Sequence, residues 1–224
     1  IDTGLYSVVI TDNGPHTCYT SIGPLLMSLA PACFIDSFLT HNICPGVVEG
    51  QVILNLGSGW LGFALAEHLS IKYKIHLSTR TKEKKEKLKS SNINTFLVDI
   101  DKNTEPHEIN EFLESDILII NIPSKNIEAF KKLIQYILLS KINRIIFISS
   151  TSVCNNESSP LKTIEELFRN TDIKTTILRF GGLFGYSRNP ANFFKNGRTV
   201  KNPNAPINMI HRDDCISIIK EIIN

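Results

Sequence analysis

The sequence predicts an α/β fold built on a doubly wound parallel sheet, and three observations predict it. From residue 51 onward, short β-rich runs alternate with helical patterns. The runs are QVILNL, YKIHLSTR, NTFLVDI, DILIINI, RIIFISS and TTILRFGG, mostly apolar along their length, as strands covered on both faces must be. The stretches between them have the length of single crossover helices, about 10 to 15 residues.

The elements follow in order. QVILNL is a buried-type strand, and Leu61, Leu65 and Leu69 then recur every four residues along a helix within LGFALAEHLSIK. YKIHLSTR is the second strand, and TKEKKEKLK reads as an exposed helix with Glu83 and Lys87 at i,i+4 spacing. NTFLVDI and DILIINI are the third and fourth strands, IEAFKKLIQYILLS a helix, RIIFISS the fifth strand, KTIEELFRN a helix and TTILRFGG the sixth strand. A basic, Asn- and Pro-rich loop, residues 186–208, leads to a last helix, CISIIKEII. Asp213 or Asp214 reads as its N-cap, which puts His211 on the strand or loop before it.

Residues 1–50 are a different kind of sequence. They contain no Lys or Arg and four acids, whereas residues 51–224 hold all 24 cations and 18 acids. Pro15, Pro24, Pro31 and Pro45 interrupt every run that would otherwise extend into a helix. The apolar stretch 21–39 contains two prolines and Asp36 and lacks a basic flank, which argues against both a membrane span and a signal peptide. The domain reading is therefore an unassigned segment over 1–50, expected to be irregular or not native to the protein, and an α/β domain over 51–224.

A mean hydropathy of -0.01 and 42% hydrophobic residues suit one globular domain with a small appendage. The formal charge of +2 does not select an anionic partner. The charged run mixes both signs and has no interleaved aromatics, so no nucleic-acid role is expected. Cys154 and Cys215 stand apart from any His or Cys at ligand spacing, so no metal site is expected, and a reducing cytoplasm is.

Residues 57–62, GSGWLG, supply chemistry. Between a strand and a helix, Gly57 makes the tight turn, Gly59 lets a diphosphate approach, and Gly62 allows close helix–strand packing. The backbone around Gly59, Trp60 and Leu61 then offers N–H groups to the phosphates. No Gly-Lys-Ser/Thr ends the loop, which excludes a mononucleotide P-loop. The second strand ends Ser78, Thr79, Arg80, with no acid where a ribose 2′-hydroxyl would be accepted. A guanidinium there grips a 2′-phosphate, so NADP is expected in preference to NAD. The plain alternative is that Arg80 simply begins a solvated helix.

LNLGSGWLG, STR, LVDID, FISSTSV, ILRFGGLFG and PINMIHRDDC together resemble, in that order, the atypical short-chain dehydrogenase/reductase (SDR) family, in its nucleoside-diphosphate-sugar epimerase-like, NAD-dependent epimerase/dehydratase branch. The resemblance spans residues 51–224. It implies a Rossmann-like doubly wound sheet with a small C-terminal loop region on the substrate side. Asp99 and Ile100 would then lie against adenine, Ile122, Pro123 and Ser124 along the ribose and nicotinamide side, and Ser149 beside the nicotinamide, with Ser150 in the place of the catalytic Ser/Thr. The bland reading of these serines is a polar strand end that caps a turn.

One departure bears on activity. The Tyr-x-x-x-Lys pair of redox-active members is missing: NNESSPLKTIEELFRN contains no tyrosine, Lys162 precedes the expected helix, and Glu165 and Glu166 occupy it. His211 and Tyr186 are the substitute acid/base candidates. Arg188, Lys195 and Arg198 are candidates to hold an anionic small-molecule substrate, with Phe193 and Phe194 as an apolar wall. The expected function is reductase, epimerase or dehydratase-type hydride chemistry, or, alternatively, NADP sensing without turnover.

Overall fold

A computed structural model describes residues 8–11, 51–88, 90, 92–102, 106–156, 158–194 and 207–224. Seven strands form the main sheet. They are β1 (Val8–Thr11), β2 (Val52–Leu56), β3 (Lys74–Thr79), β4 (Ile93–Leu97), β5 (Ile117–Ile120), β6 (Arg144–Ser150) and β7 (Lys174–Phe180), in the order β1-β7-β6-β5-β2-β3-β4. β2 to β7 are mutually parallel, while β1 runs antiparallel along β7, Val8 opposite Phe180.

The six sequence-predicted strands are all present. The seventh was not legible: within the segment that yielded no fold, residues 8–11 complete the edge. Stretch 21–39 lies outside the described residues.

Two helices, α1 (Trp60–Leu69) and, at the end of the chain, α6 (Arg212–Ile223), cover one face of the sheet. Leu61, Leu65 and Leu69 of α1 pack with Cys215, Ile216 and Ile219 of α6 over Ile53, Ile119, Ile146 and Leu178. On the opposite face lie α3 (Pro106–Phe112), α4 (Ile127–Leu138) and α5 (Pro160–Arg169). There Phe130, Phe147 and Phe168 meet with ring centres 5.3–6.1 Å apart. The charged helix α2 (Lys82–Lys87), capped by Thr81, buries nothing.

Strand order reverses at β2, whose neighbours are β3 and β5, and in sheets of this kind the ligand crevice lies at such a switch point, beyond the carboxyl ends of the strands, here β2 and β5. After β7 the chain forms a two-stranded parallel ribbon, β8 (Gly182–Phe184) with β9 (Met209–His211). The cap of α6 is neither Asp213 nor Asp214. His211 is the N-cap of α6 and its Nδ1 accepts from the Asp213 N–H (3.3 Å), while Asp213 and Asp214 sit in the first turn. Pairing of β9 with Phe184 carries the extended backbone through His211 and leaves helix to start one residue later.

Candidate functional site

Three glycines at the crevice have three different reasons to be glycine. Gly57 has φ 117°, and a Cβ there would lie 2.3 Å from the Asn121 carbonyl oxygen. A Cβ on Gly62 would lie 1.9 Å from the Gly57 carbonyl oxygen. Both are fixed by the protein's own packing. Asn55 ties the same corner, its Nδ2 donating to the Gly62 carbonyl (2.6 Å), and Ser78 Oγ accepts from the Gly57 N–H (2.8 Å). Gly59 differs: it has ordinary extended backbone, φ -71° and ψ -167°, and nothing stands within 4 Å of the place its Cβ would fill. The fold itself makes no steric demand for glycine at 59. The open space is on the outside of the turn, at the N-terminus of α1, which has no side-chain cap and no acid in its first turn. Helix N-termini of this kind bind anions through free N–H groups and the macrodipole. A dinucleotide diphosphate fits this cradle.

Other predicted cofactor residues gather around the same edge. Thr79 is buried at the end of β3 with Oγ1 unpartnered, and Arg80 is exposed just beyond it. Lys84, which the sequence reading did not single out, reaches back from α2 so that its Nζ donates to the Ser58 carbonyl (2.5 Å). Two basic side chains therefore flank the β3 end of the loop. Asp99 and Ile100 follow β4, Asp99 Oδ1 accepting from the Asp101 N–H (3.2 Å) and Ile100 packing on the core. Ile122, Pro123 and Ser124 follow β5, and Ser124 Oγ donates to Asp101 Oδ1 (2.7 Å), joining the two loops. Trp60 and Leu61 begin α1, Leu61 in the core and Trp60 half-buried with its indole Nε1 unpartnered.

At the end of β6 the structure gives the two serines separate tasks. Ser150 Oγ accepts from the Ser152 N–H (3.2 Å), capping the 3-10 turn Thr151–Asn155 and leaving its own proton free to donate. Ser149 donates to Glu165 Oε1 (2.5 Å). Glu165 is 1% exposed and is gripped by Arg179, Nε to Oε1 at 3.0 Å and Nη2 to Oε2 at 2.5 Å. Arg179 Nη1 also donates to Cys154 Sγ (3.8 Å). Glu165 lies on α5, the helix that lacks the Tyr-x-x-x-Lys motif, and Arg179 lies on β7; Lys162, expected ahead of this helix, falls within it, because the helix already begins at Pro160. The sequence carries a signal for the buried pair: an arginine inside the apolar run TTILRF needs a buried partner.

His211 and Tyr186 form a second cluster. The His211 ring lies 5.2 Å from Phe184 and 5.5 Å from Tyr186, and its Nε2 edge presses on Gly185, where a Cβ would meet it at 2.3 Å. Tyr186 donates its hydroxyl to Asp213 Oδ2 (2.6 Å). That hydrogen bond holds the phenol above its ordinary pKa of 10.0, so Tyr186 stays protonated through neutral pH. Ser150 and His211 are not joined by a hydrogen bond in the structure. Cys215 is buried in the core, where desolvation pushes its thiol up to about 12 and removes it as a nucleophile. Lys195 and Arg198 lie outside the described residues. Among the described residues no three His, Cys, Asp or Glu are placed to hold a metal ion, and no helix is long and apolar enough to cross a membrane.

No protein-family model matches the chain. It is 28% identical to Protein YeeZ of Escherichia coli K12 over 73% of its own length and 70% of that protein's. Among solved structures it is similar to ChuY, an anaerobillin reductase from Escherichia coli O157:H7, with a TM-score of 0.58 and 17% identity over 77% of this chain and 90% of that one. It is also similar to a wide-type short-chain dehydrogenase/reductase from Veillonella parvula in complex with NADP, with a TM-score of 0.59 and 14% identity over 77% of this chain and 87% of that one. The chain thus has the Rossmann-like α/β fold of NAD(P)-binding, SDR-like proteins.

Proposed function

We propose that this protein binds a nicotinamide dinucleotide, NADP(H) in preference to NAD(H), across the crevice at the carboxyl ends of β2 and β5, as an atypical SDR of the epimerase/dehydratase-like type. The observation that carries the reading is Gly59, a glycine between two structurally required ones whose missing side chain leaves open space where α1 presents its uncapped N-terminus. Arg80 and Lys84, with no acid at the end of β3, favour the 2′-phosphate form. A bound nicotinamide supplies hydride transfer. The chain's share is to hold the diphosphate on backbone N–H groups and to offer the Ser150 hydroxyl as a donor beside the strand end, with a small, anionic molecule as substrate and the cytoplasm as setting.

The Glu165–Arg179 pair gives weight to a second reading. With Glu165 on the helix where a catalytic Tyr and Lys would stand, its charge satisfied by Arg179 of β7, the protein would bind NADP(H) without turning it over, as a sensor or scaffold. General acid/base groups contribute about two to four orders of magnitude in rate, so their loss is not made good by positioning alone.

Trp60 is the single tryptophan, and it sits in the loop that would hold the diphosphate. Titrating with NADPH and NADH while following Trp60 emission tests the binding claim: saturable quenching, tighter for NADPH, is expected. No response to either at millimolar concentration would end it. Transfer of deuterium from labelled NADPH to any substrate would eliminate the sensor reading.

A further inference from the structure

Two arginines converge on the Trp60 indole. Gly185 and Arg188 close a tight turn through reciprocal backbone hydrogen bonds of 3.0 and 2.9 Å. Within it Tyr186 takes φ 52°, a left-handed conformation costly for a residue other than glycine. Tyr186 is 63% exposed, so core packing does not explain the strain. The turn brings Arg188 to 4.5 Å from the centre of the Trp60 ring. Arg212, first residue of α6, stands 5.0 Å from the same ring and 3.9 Å from that of Tyr186.

Neither guanidinium has a carboxylate within salt-bridge reach among the described residues. The neighbouring acid, Asp213, accepts from the Tyr186 hydroxyl instead. Arg212 Nε and Trp60 Nε1 are both buried without a partner. Aromatic faces orient guanidinium groups and leave their in-plane N–H donors free. Arg212 also donates to the Tyr186 hydroxyl, but its Nε and the Arg188 fork keep unspent donors, which are matched by the oxygens of a carboxylate or phosphate.

We propose that Arg188 and Arg212, arrayed on Trp60, form a subsite for the acid group of an anionic substrate, carboxylate or phosphate, next to the diphosphate cradle at Gly59. The chemical role of this subsite rests on the cofactor-binding reading, but its test does not.

Inorganic phosphate and acetate, titrated separately at constant ionic strength into cofactor-free protein and into protein saturated with NADPH, should each be read by Trp60 emission. The expected result is saturable binding of at least one anion in both forms, with the tighter anion naming the acid group. Arg188→Gln and Arg212→Gln should each weaken it by about tenfold and change NADPH affinity by less than about twofold. If Arg212→Gln fails to fold, Arg188→Gln, on an exposed turn, carries the test alone. The proposal is overturned if neither anion binds saturably, if binding is unchanged in the folded variants, or if the anion competes with NADPH and the variants lose NADPH affinity tenfold, because the arginines then serve the dinucleotide. Failure of NADPH to bind would strike the cofactor reading and leave the cofactor-free anion titration to decide this one.

Discussion

Replacing each glycine of the loop by alanine separates what the fold needs from what a ligand needs. At Gly62 the new methyl would lie 1.9 Å from the Gly57 carbonyl oxygen, a backbone atom that cannot swing aside. At Gly57 it would lie 2.3 Å from the Asn121 carbonyl oxygen, on a residue at φ 117°. Overpacking costs about 1–3 kcal/mol, and a backbone conformation of this kind about 1–3 kcal/mol more. With about 2–4 °C of Tm per kcal/mol for a chain of this size, Gly62→Ala should lower Tm by roughly 2–12 °C and Gly57→Ala by more. Gly59→Ala meets nothing within 4 Å and needs no strained dihedral, so only the poorer N-cap counts, about 1 kcal/mol or less. Its methyl nevertheless occupies the approach to the α1 N-terminus, and NADPH affinity should fall by about tenfold or more. Thermal melts and NADPH titrations of the three variants check this. A Gly59→Ala protein as unstable as Gly62→Ala, or one that binds NADPH like the parent, refutes the reasoning.

Three further outcomes follow from individual contacts. Glu165→Ala removes the buried carboxylate that Arg179, 12% exposed, holds through Nε and Nη2, and should cost about 3–5 kcal/mol in denaturant unfolding; Glu165→Leu with Arg179→Leu should recover a large part of the loss. Arg80→Ala and Lys84→Ala should each weaken NADPH binding by about tenfold while leaving NADH within about twofold, measured by the same titration. His76, whose Nδ1–H donates to the Phe112 carbonyl (3.1 Å), is held below the ordinary pKa of 6.5 mainly by burial. The unfolded chain therefore takes up that proton first, and stability should decline as pH falls through 6.5; unfolding curves on either side of that pH should show a smaller decline for His76→Gln.

The sheet was legible because its strands announce themselves locally: Ile53, Ile119 and Ile146 are buried on one face and Leu54, Leu118 and Phe147 on the other, and the apolar runs record that double burial. The glycine loop was legible because spacing, strand and helix coincide. Val8–Thr11 was not, since four residues carry no period and their place is set by pairing with β7, far along the chain. The cap of α6 was misread because Asp is the better intrinsic N-cap, whereas the β8–β9 ribbon decides where extended backbone ends. Glu165, Arg179, Lys84 and Arg212 went unassigned because their partners come from other elements, and only the folded chain brings Glu165 to Ser149 or Arg212 to Trp60.

The most direct measurement is a crystal structure grown with NADPH. The diphosphate should lie over Gly59 within hydrogen-bond reach of the first N–H groups of α1, with the 2′-phosphate beside Arg80 and Lys84. A saturating dinucleotide found elsewhere, or a crevice holding only solvent, would contradict the assignment of this loop.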